Sequence, residues 1–117
     1  MYNFHMAHWQ EQIKEEFKRA AQSRARKNEG QARVCARRAA GIAIRESLSR
    51  KGIRPQSTSS YDLLNLIKDN PLLPTEMKSI VEHLTLRVTE EFKLPIEVDL
   101  VSESRLLCRW LLPEWEE

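Results

Sequence analysis

Arginine is the residue type in this sequence whose number and spacing most clearly suggest a chemistry. The chain has twelve arginines, and eight of them lie between Arg24 and Arg54. Ten basic residues stand against two acidic ones in this Arg-rich segment, a balance of +8. The guanidinium fork binds phosphate oxygens in pairs, so arginines clustered along one segment are typical of a phosphate or nucleic-acid site. Arg37, Arg38 and Arg45 are the candidate phosphate contacts within it.

The rest of the chain offsets this positive charge. Residues 55–117 hold six basic and twelve acidic side chains, a balance of −6, so the 117-residue chain carries a net charge of only +2. Two simpler interpretations of the arginines follow: a solvated helix face, or neutralisation by the acidic half within the molecule or across a dimer. The small total argues against a general polyanion binder. Because no aromatic residues are interleaved with the arginines, stacking on single strands is also disfavoured.

Composition excludes several kinds of protein and site. Cys35 and Cys108 are the only cysteines, in no CxxC motif, which favours a reduced, cytoplasmic setting. Three histidines without a Cys/His cluster cannot form a structural zinc site, and three glycines are too few for a phosphate-binding loop. No apolar run approaches the roughly 18 residues of a membrane span, and the N-terminus does not resemble a signal peptide. We expect no metal, no cofactor and no membrane contact.

Glycine and proline divide the sequence into five segments with helical periodicity. The predicted helices cover residues 7–28, 31–50, 60–69, 75–92 and 102–112, approximately. Residues 93–100 alternate as a strand would, but a lone strand has no partner in a helical domain, so an extended connection is predicted. The pattern predicts an all-α fold: one domain over residues 1–117, forming an antiparallel four- to five-helix up-and-down bundle. Its core spans roughly 7–112, and residues 113–117 form a short tail.

The second predicted helix is apolar on two faces. One face is a stripe of small residues: Ala32, Ala36, Ala39 and Ala43. The other face lies nearly opposite and consists of Val34, Gly41, Ile44 and Leu48. A helix with two apolar faces is normally packed from both sides. Glycine inside a helix costs about 1 kcal/mol relative to alanine, so close packing is expected at Gly41.

A partner surface is suggested at two other positions. Leu86 lies opposite the apolar stripe of the fourth predicted helix, so it is either exposed or in contact with a partner. Trp110 lies near the C-terminus, as does Trp115, and exposed tryptophans often mark interfaces. Leu86 and Trp110 are therefore the candidate partner surface. The simpler interpretation of both tryptophans is that they close the end of the bundle.

The second helix also resembles a known family. Residues 36–48 read ARRAAGIAIRESL, similar to the A-x-x-A-A-x-x-A-L-K-A-L-L helix of HEPN domains (higher eukaryotes and prokaryotes nucleotide-binding). A long amphipathic helix with an early Trp9 precedes it and ends at a Glu29-Gly30 turn. Residues 60–64, SYDLL, are similar to the family's H-D-L helix start. The resemblance covers roughly residues 7–112.

The resemblance implies a helical bundle that usually dimerises. Many HEPN members are RNases in toxin–antitoxin, CRISPR and anti-phage systems, whereas others bind nucleotides beside a nucleotidyltransferase partner or are non-catalytic. In the active members an arginine is followed, four to six residues later, by a histidine. The arginine steadies the phosphate charge and the histidine moves protons, as RNA cleavage requires.

This sequence departs from that pattern at the decisive position. The matching arginine is Arg87, a fourth candidate phosphate contact, but the next positions at the family spacing are Glu91, Phe92 and Lys93. His83 precedes Arg87 and is expected to be a solvated residue. No catalytic residue is therefore assigned.

Three hypotheses remain. The leading one is a non-catalytic, HEPN-like module, dimeric, that binds a nucleotide, RNA or a partner protein, with a nucleotidyltransferase as a candidate partner. The second is a divergent RNase or nucleotide-handling subunit that uses Arg87 with Tyr61 or Glu91. The third is a purely structural interaction bundle.

Overall fold

The computed structural model describes residues 4–86 and 96–117, with side chains from His8 onward. The described residues form five helices: α1 (Phe4–Ala25), α2 (Glu29–Arg50), α3 (Ser60–Lys68), α4 (Thr75–Leu84) and α5 (Leu100–Leu111). This part of the chain contains no strand. The predicted all-α fold, a bundle of four to five helices, is confirmed. None of these helices is long and apolar enough to cross a membrane.

Side-chain caps fix where three of the helices begin. Asn28 accepts a hydrogen bond from the backbone N–H of Gln31 at 3.1 Å and so starts α2, directly after Lys27 in a left-handed conformation. The Ser59 hydroxyl caps α3. Asp99 caps α5, although the sequence pattern predicts a start near residue 102. Each cap satisfies a backbone donor that would otherwise lack a partner in the first turn.

The centre of the bundle is α2, as its two apolar faces predict. One buried cluster packs its small-residue face against α1 and part of α5. A second cluster packs its other face, including Ile44, against α3, α4 and α5. Since α2 is covered from both sides, the elements that flank it determine which of its arginines reach solvent.

Gly41 allows α3 to begin directly against α2. A Cβ atom at this position would lie 2.5 Å from Ser60 Oγ and 3.1 Å from Ser60 Cα. The second contact is with backbone, so a rotamer change could not relieve it. The close packing predicted at Gly41 is confirmed, and the neighbour is the first residue of α3.

Two sequence predictions are wrong. The fourth helix ends at Leu84, where Arg37 donates to the carbonyl oxygen of that residue, and residues 85 and 86 do not continue it. The predicted helical residues 87–92 lie outside the described part of the chain. The predicted tail is also packed: Trp115 is 2% exposed, and its ring lies 5.5 Å from that of Phe17. Trp115 therefore belongs to the core between α1 and α5.

Candidate functional site: the cleft between α1 and α2

A cleft of about 590 Å³ lies between α1 and α2, and we name it the α1–α2 cleft. Twelve residues line it: His8, Glu11, Gln12, Glu15, Glu16, Arg19, Arg38, Gly41, Ile42, Arg45, Thr58 and Ser60. The first six lie on α1 and the next four on α2, whereas Thr58 and Ser60 belong to the connection to α3 and its first residue. Its volume falls within the range of small-molecule sites.

Helical periodicity explains the two walls. Arg38, Ile42 and Arg45 are spaced by four and three residues, which places them on one side of α2. The lining residues of α1 recur at the same intervals from His8 to Arg19. The arginines that the sequence groups together are thus separated by the helix, and only part of the group reaches this cleft.

The cleft combines both signs of charge. Arg19 lies 3.5 Å from Glu15 and 4.0 Å from Glu16 on its own helix. Arg38 and Arg45 are exposed, and within the described residues neither forms an ion pair. No group of residues 8–86 or 96–117 occupies the donors of these two guanidinium groups, so they can bind a ligand or water.

Glu16 differs from the other carboxylates of the cleft. Its side chain is 13% exposed, its Oε1 atom is buried, and its carboxylate is within hydrogen-bonding reach of the Cys35 thiol. Burial raises the pKa of this thiol, and the negative charge of Glu16 raises it further. The positive charge of Arg38 acts on the same pKa in the opposite direction.

Arg37, the neighbour of Arg38, has a different environment. Its Nε donates to the carbonyl oxygen of Leu84 at 2.8 Å, and its Nη2 donates to that of Leu86 at 3.1 Å. Arg37 is half-buried, and burial, followed by the charge of Arg33, lowers its pKa. It does not line the α1–α2 cleft but holds the end of α4.

Other arginines of the segment are neutralised inside the molecule. Arg24 forms ion pairs with two carboxylates, that of Glu29 at 2.6 Å and that of Asp99 at 3.1 Å. Burial opposes ionisation of Asp99, but hydrogen bonds from Arg24 and Ser102 outweigh it and hold the pKa of Asp99 at about 2. Arg50 pairs with Glu46 at 3.1 Å and with Glu114 of the acidic half. For Arg24 and Arg50, the interpretation of intramolecular neutralisation is confirmed.

The remaining candidates do not converge on the cleft. Arg87 lies outside the described residues. Leu86 is half-buried, and its carbonyl oxygen accepts from Arg37. Trp110 is 38% exposed and lines a separate cavity of about 170 Å³ beside α2, α3 and α5. The structure does not place Leu86 in that cavity.

The histidine and the cysteines have structural environments. His83 is half-buried and its Nδ1 lies 2.9 Å from Glu103 Oε1, so the expectation of a solvated residue is wrong. This pair joins α4 to α5. Both cysteines are buried, and burial raises the pKa of Cys108 to about 12, which leaves its thiol protonated at neutral pH. Across the described ranges no group of three or more His, Cys, Asp or Glu could hold a metal ion.

Sequence reasoning missed the acidic wall of the cleft. The helical pattern of α1 marks Glu15 and Arg19 as polar and predicts only a solvated face for them. The residues that face them across the cleft lie on α2, so only the packing of α1 on α2 shows that they share a cleft with Arg38. The available signal was the four-residue spacing of Glu11, Glu15 and Arg19.

Comparison of the chain with protein-family models, with curated proteins and with solved structures gives no match.

Proposed function

We propose that this protein is a non-catalytic helical binding module that holds a phosphate-bearing ligand in the α1–α2 cleft. The observation that carries the proposal is the pair Arg38 and Arg45. Both are exposed, line the same cleft and have no ion-pair partner among the described residues. Arg24, Arg37 and Arg50, by contrast, are engaged by groups of the protein itself.

The spacing of the two arginines suits one small ligand. Seven residues along an α-helix correspond to a rise of about 10 Å, and an arginine side chain spans much of that distance when extended. Their guanidinium groups can therefore approach a single phosphate from two sides. Bidentate contacts of this kind are among the stronger charge-assisted hydrogen bonds.

The edge of the cleft also favours the binding of an anion. Ser60, the first residue of α3, lines it together with Thr58. The first turn of a helix carries partial positive charge from its free N–H groups. This contribution is secondary, because it is worth less than a contact with a full charge.

The HEPN resemblance supports a nucleotide or RNA as the ligand. It also extends the proposal to a homodimer and to a nucleotidyltransferase or another protein as partner, in a toxin–antitoxin or defence-type system. These extensions come from the resemblance alone. The divergent RNase alternative remains a prediction, since Arg87 and Glu91 lie outside the described residues and Tyr61 is 41% exposed.

The test is a charge-reversal pair with a matched control. We expect Arg38→Glu/Arg45→Glu to weaken binding of adenosine 5′-monophosphate at least tenfold in isothermal titration, because each lost charge-assisted contact is worth about 1.5–3 kcal/mol. Arg26→Glu/Arg54→Glu changes the net charge equally at exposed arginines outside the cleft. An equal loss in both double variants would point to general electrostatics and contradict the proposal.

A second candidate function is supported by the surface of α5. Trp110 and Leu106, four residues apart on one face, are 38% and 44% exposed. Large apolar side chains exposed side by side favour contact with a protein partner. This surface is separate from the α1–α2 cleft, so a partner and a small ligand could bind together.

A further inference from the structure

The outer side of α5 carries two large apolar side chains that the fold does not cover. Leu106 and Trp110 are four residues apart, so they lie one above the other on the same side of the helix. Both are exposed, whereas Leu100, Val101 and Leu107 of the same helix are buried. We name Leu106 and Trp110 the α5 face. The helix therefore has a broad apolar side for the core and a smaller one that faces solvent.

A cavity of about 170 Å³ adjoins the α5 face at Trp110. Six of its nine lining residues are apolar, and Lys51 is the only charged one. An apolar cavity of about 150 Å³ holds a benzene-sized group. The cavity can therefore take one large apolar side chain from a partner, and side chains seated in such recesses contribute most of the binding energy of protein interfaces.

Two cations border the α5 face. Lys51 lines the cavity beside Trp110, and a rotation of about 100° per residue places Arg109 and Trp110 on opposite sides of Leu106. Arg109 lies over the ring of Trp115, and among the described residues neither cation forms an ion pair. A partner with acidic side chains beside its apolar anchor matches this charge, and one with basic side chains is repelled.

Nearby carboxylates are engaged elsewhere and leave these two cations available. The Nδ1 atom of His83 lies 2.9 Å from Glu103 Oε1, and Arg50 binds Glu114. The cavity also distinguishes between two kinds of acidic partner. An anionic membrane surface would cover the exposed side chains but leave the recess unfilled, whereas a protein side chain fills it.

We infer that the α5 face binds a short amphipathic segment of another protein, with one large apolar side chain seated in the cavity and acidic side chains beside Lys51 and Arg109. Such a segment uses the familiar recognition of an amphipathic peptide by an apolar groove. The inference is separate from the phosphate ligand of the α1–α2 cleft. It rests on the second candidate function, contact with a protein partner at α5.

The probe is a display library of random peptides, selected against the wild-type protein. We expect the enriched peptides to carry a Phe or Leu flanked by Asp or Glu. Enriched peptides that lack Trp are then synthesised, and the intrinsic tryptophan fluorescence of the protein measures their binding. Because Trp9 and Trp115 are 4% and 2% exposed, a blue shift on addition of peptide reports mainly on the burial of Trp110.

Two single variants assign the apolar contact. Trp110→Ala should weaken the selected peptide about tenfold or more in isothermal titration, as expected for a central aromatic contact. Leu66→Ala shortens an exposed leucine of α3 that lines a different groove and should leave the affinity unchanged. Circular dichroism checks that both variants remain helical.

Two double variants assign the charge. Lys51→Glu/Arg109→Glu should weaken the same peptide about tenfold at low ionic strength, with a smaller effect at high salt because exposed charges are screened. Arg26→Glu/Arg54→Glu makes an equal change of net charge at exposed positions away from the cavity and should have little effect.

The possible failures are distinguishable. Selected peptides without acidic residues, unaffected by Lys51→Glu/Arg109→Glu, would overturn the acidic partner and leave a protein partner at α5 standing. No peptide that prefers the wild-type protein to Trp110→Ala would overturn both. A concentration-dependent dimer in analytical ultracentrifugation, lost in Trp110→Ala, would assign the α5 face to a second copy of this chain instead. Binding to phosphatidylglycerol vesicles that is lost in the same variant would assign it to a membrane. Titration with adenosine 5′-monophosphate tests the α1–α2 cleft independently of all these outcomes.

Discussion

At the scale of single residues, adjacent arginines of this chain have unrelated roles. Arg37 and Arg38 are consecutive, so about 100° of helix rotation separates their side chains. Arg37 reaches two backbone carbonyls at the end of α4, whereas Arg38 opens into the α1–α2 cleft. Clustering along the sequence therefore overstates how many arginines share the α1–α2 cleft, because packing on both sides of α2 separates them.

Gly41 gives a residue-scale prediction. Replacing Gly41 with Ala improves helix propensity by about 1 kcal/mol, but the added Cβ would lie 3.1 Å from the Ser60 backbone. Since α3 would have to move away from α2, we expect a net loss of about 1–3 kcal/mol in the free energy of unfolding, measured in urea.

Gly30 in the first turn of α2 is the matched control. A Cβ there would find only Asn28 Oδ1, at 3.9 Å, which is an ordinary contact. Gly30→Ala should therefore leave stability unchanged or raise it slightly. If the two alanine variants were equally stable, the close approach at Gly41 would have no energetic significance.

At the scale of helices, the sequence predicts the bounds of α2 and α3 to within two residues but not the end of α4. The start of α3 follows from the local cap Ser59. The turn predicted at Glu29-Gly30 is wrong, because Asn28 caps α2 and places both residues in its first turn. The carbonyl oxygen of Leu84, the last residue of α4, accepts a hydrogen bond from Arg37, which lies 47 residues earlier in the chain, so no local pattern reveals this contact. The apolar stripe of α4 continues beyond Leu84 in the sequence, which is why a longer helix is predicted.

The α1–α2 cleft was predictable only in part. The arginines of its α2 wall, Arg38 and Arg45, stand out in the sequence because arginine is clustered there. Glu16 does not, since its environment depends on burial against α2 and on contact with Cys35. A polar residue on an amphipathic helix looks solvated until the neighbouring helix is in place.

Arg37 gives the element-scale prediction. Arg37→Met keeps the apolar stem but removes both hydrogen bonds to the α4 carbonyls, so we expect a loss of about 1–3 kcal/mol in stability. Amide hydrogen exchange should quicken most in the last turn of α4. Arg38→Met, which removes an exposed and unpaired guanidinium, should change both measurements little. Equal exchange of α4 in the two variants would contradict the capping role.

At the scale of the whole molecule, opposite charges from distant parts of the chain meet in ion pairs. Arg24 binds Asp99, Arg50 binds Glu114, and Arg105 donates to Glu117 at 2.7 Å. The first two pairs connect the Arg-rich segment with the acidic half. Because each of these ion pairs is at least partly exposed to solvent, each contributes little to the stability of the fold. Arg38 and Arg45 take part in no such pair among the described residues.

Trp115 gives the last prediction, at this scale. Its ring is 2% exposed, lies 5.5 Å from Phe17 and has Arg109 over it at 5.5 Å, so it joins the C-terminal residues to α1. Trp115→Ala should lower the free energy of unfolding by about 3–5 kcal/mol, as expected for a large buried aromatic. Trp110→Ala removes the same side chain from a site that is 38% exposed and should cost much less. Urea unfolding of the two variants measures the difference, and a similar loss in both would mean that the C-terminal residues do not hold the bundle together.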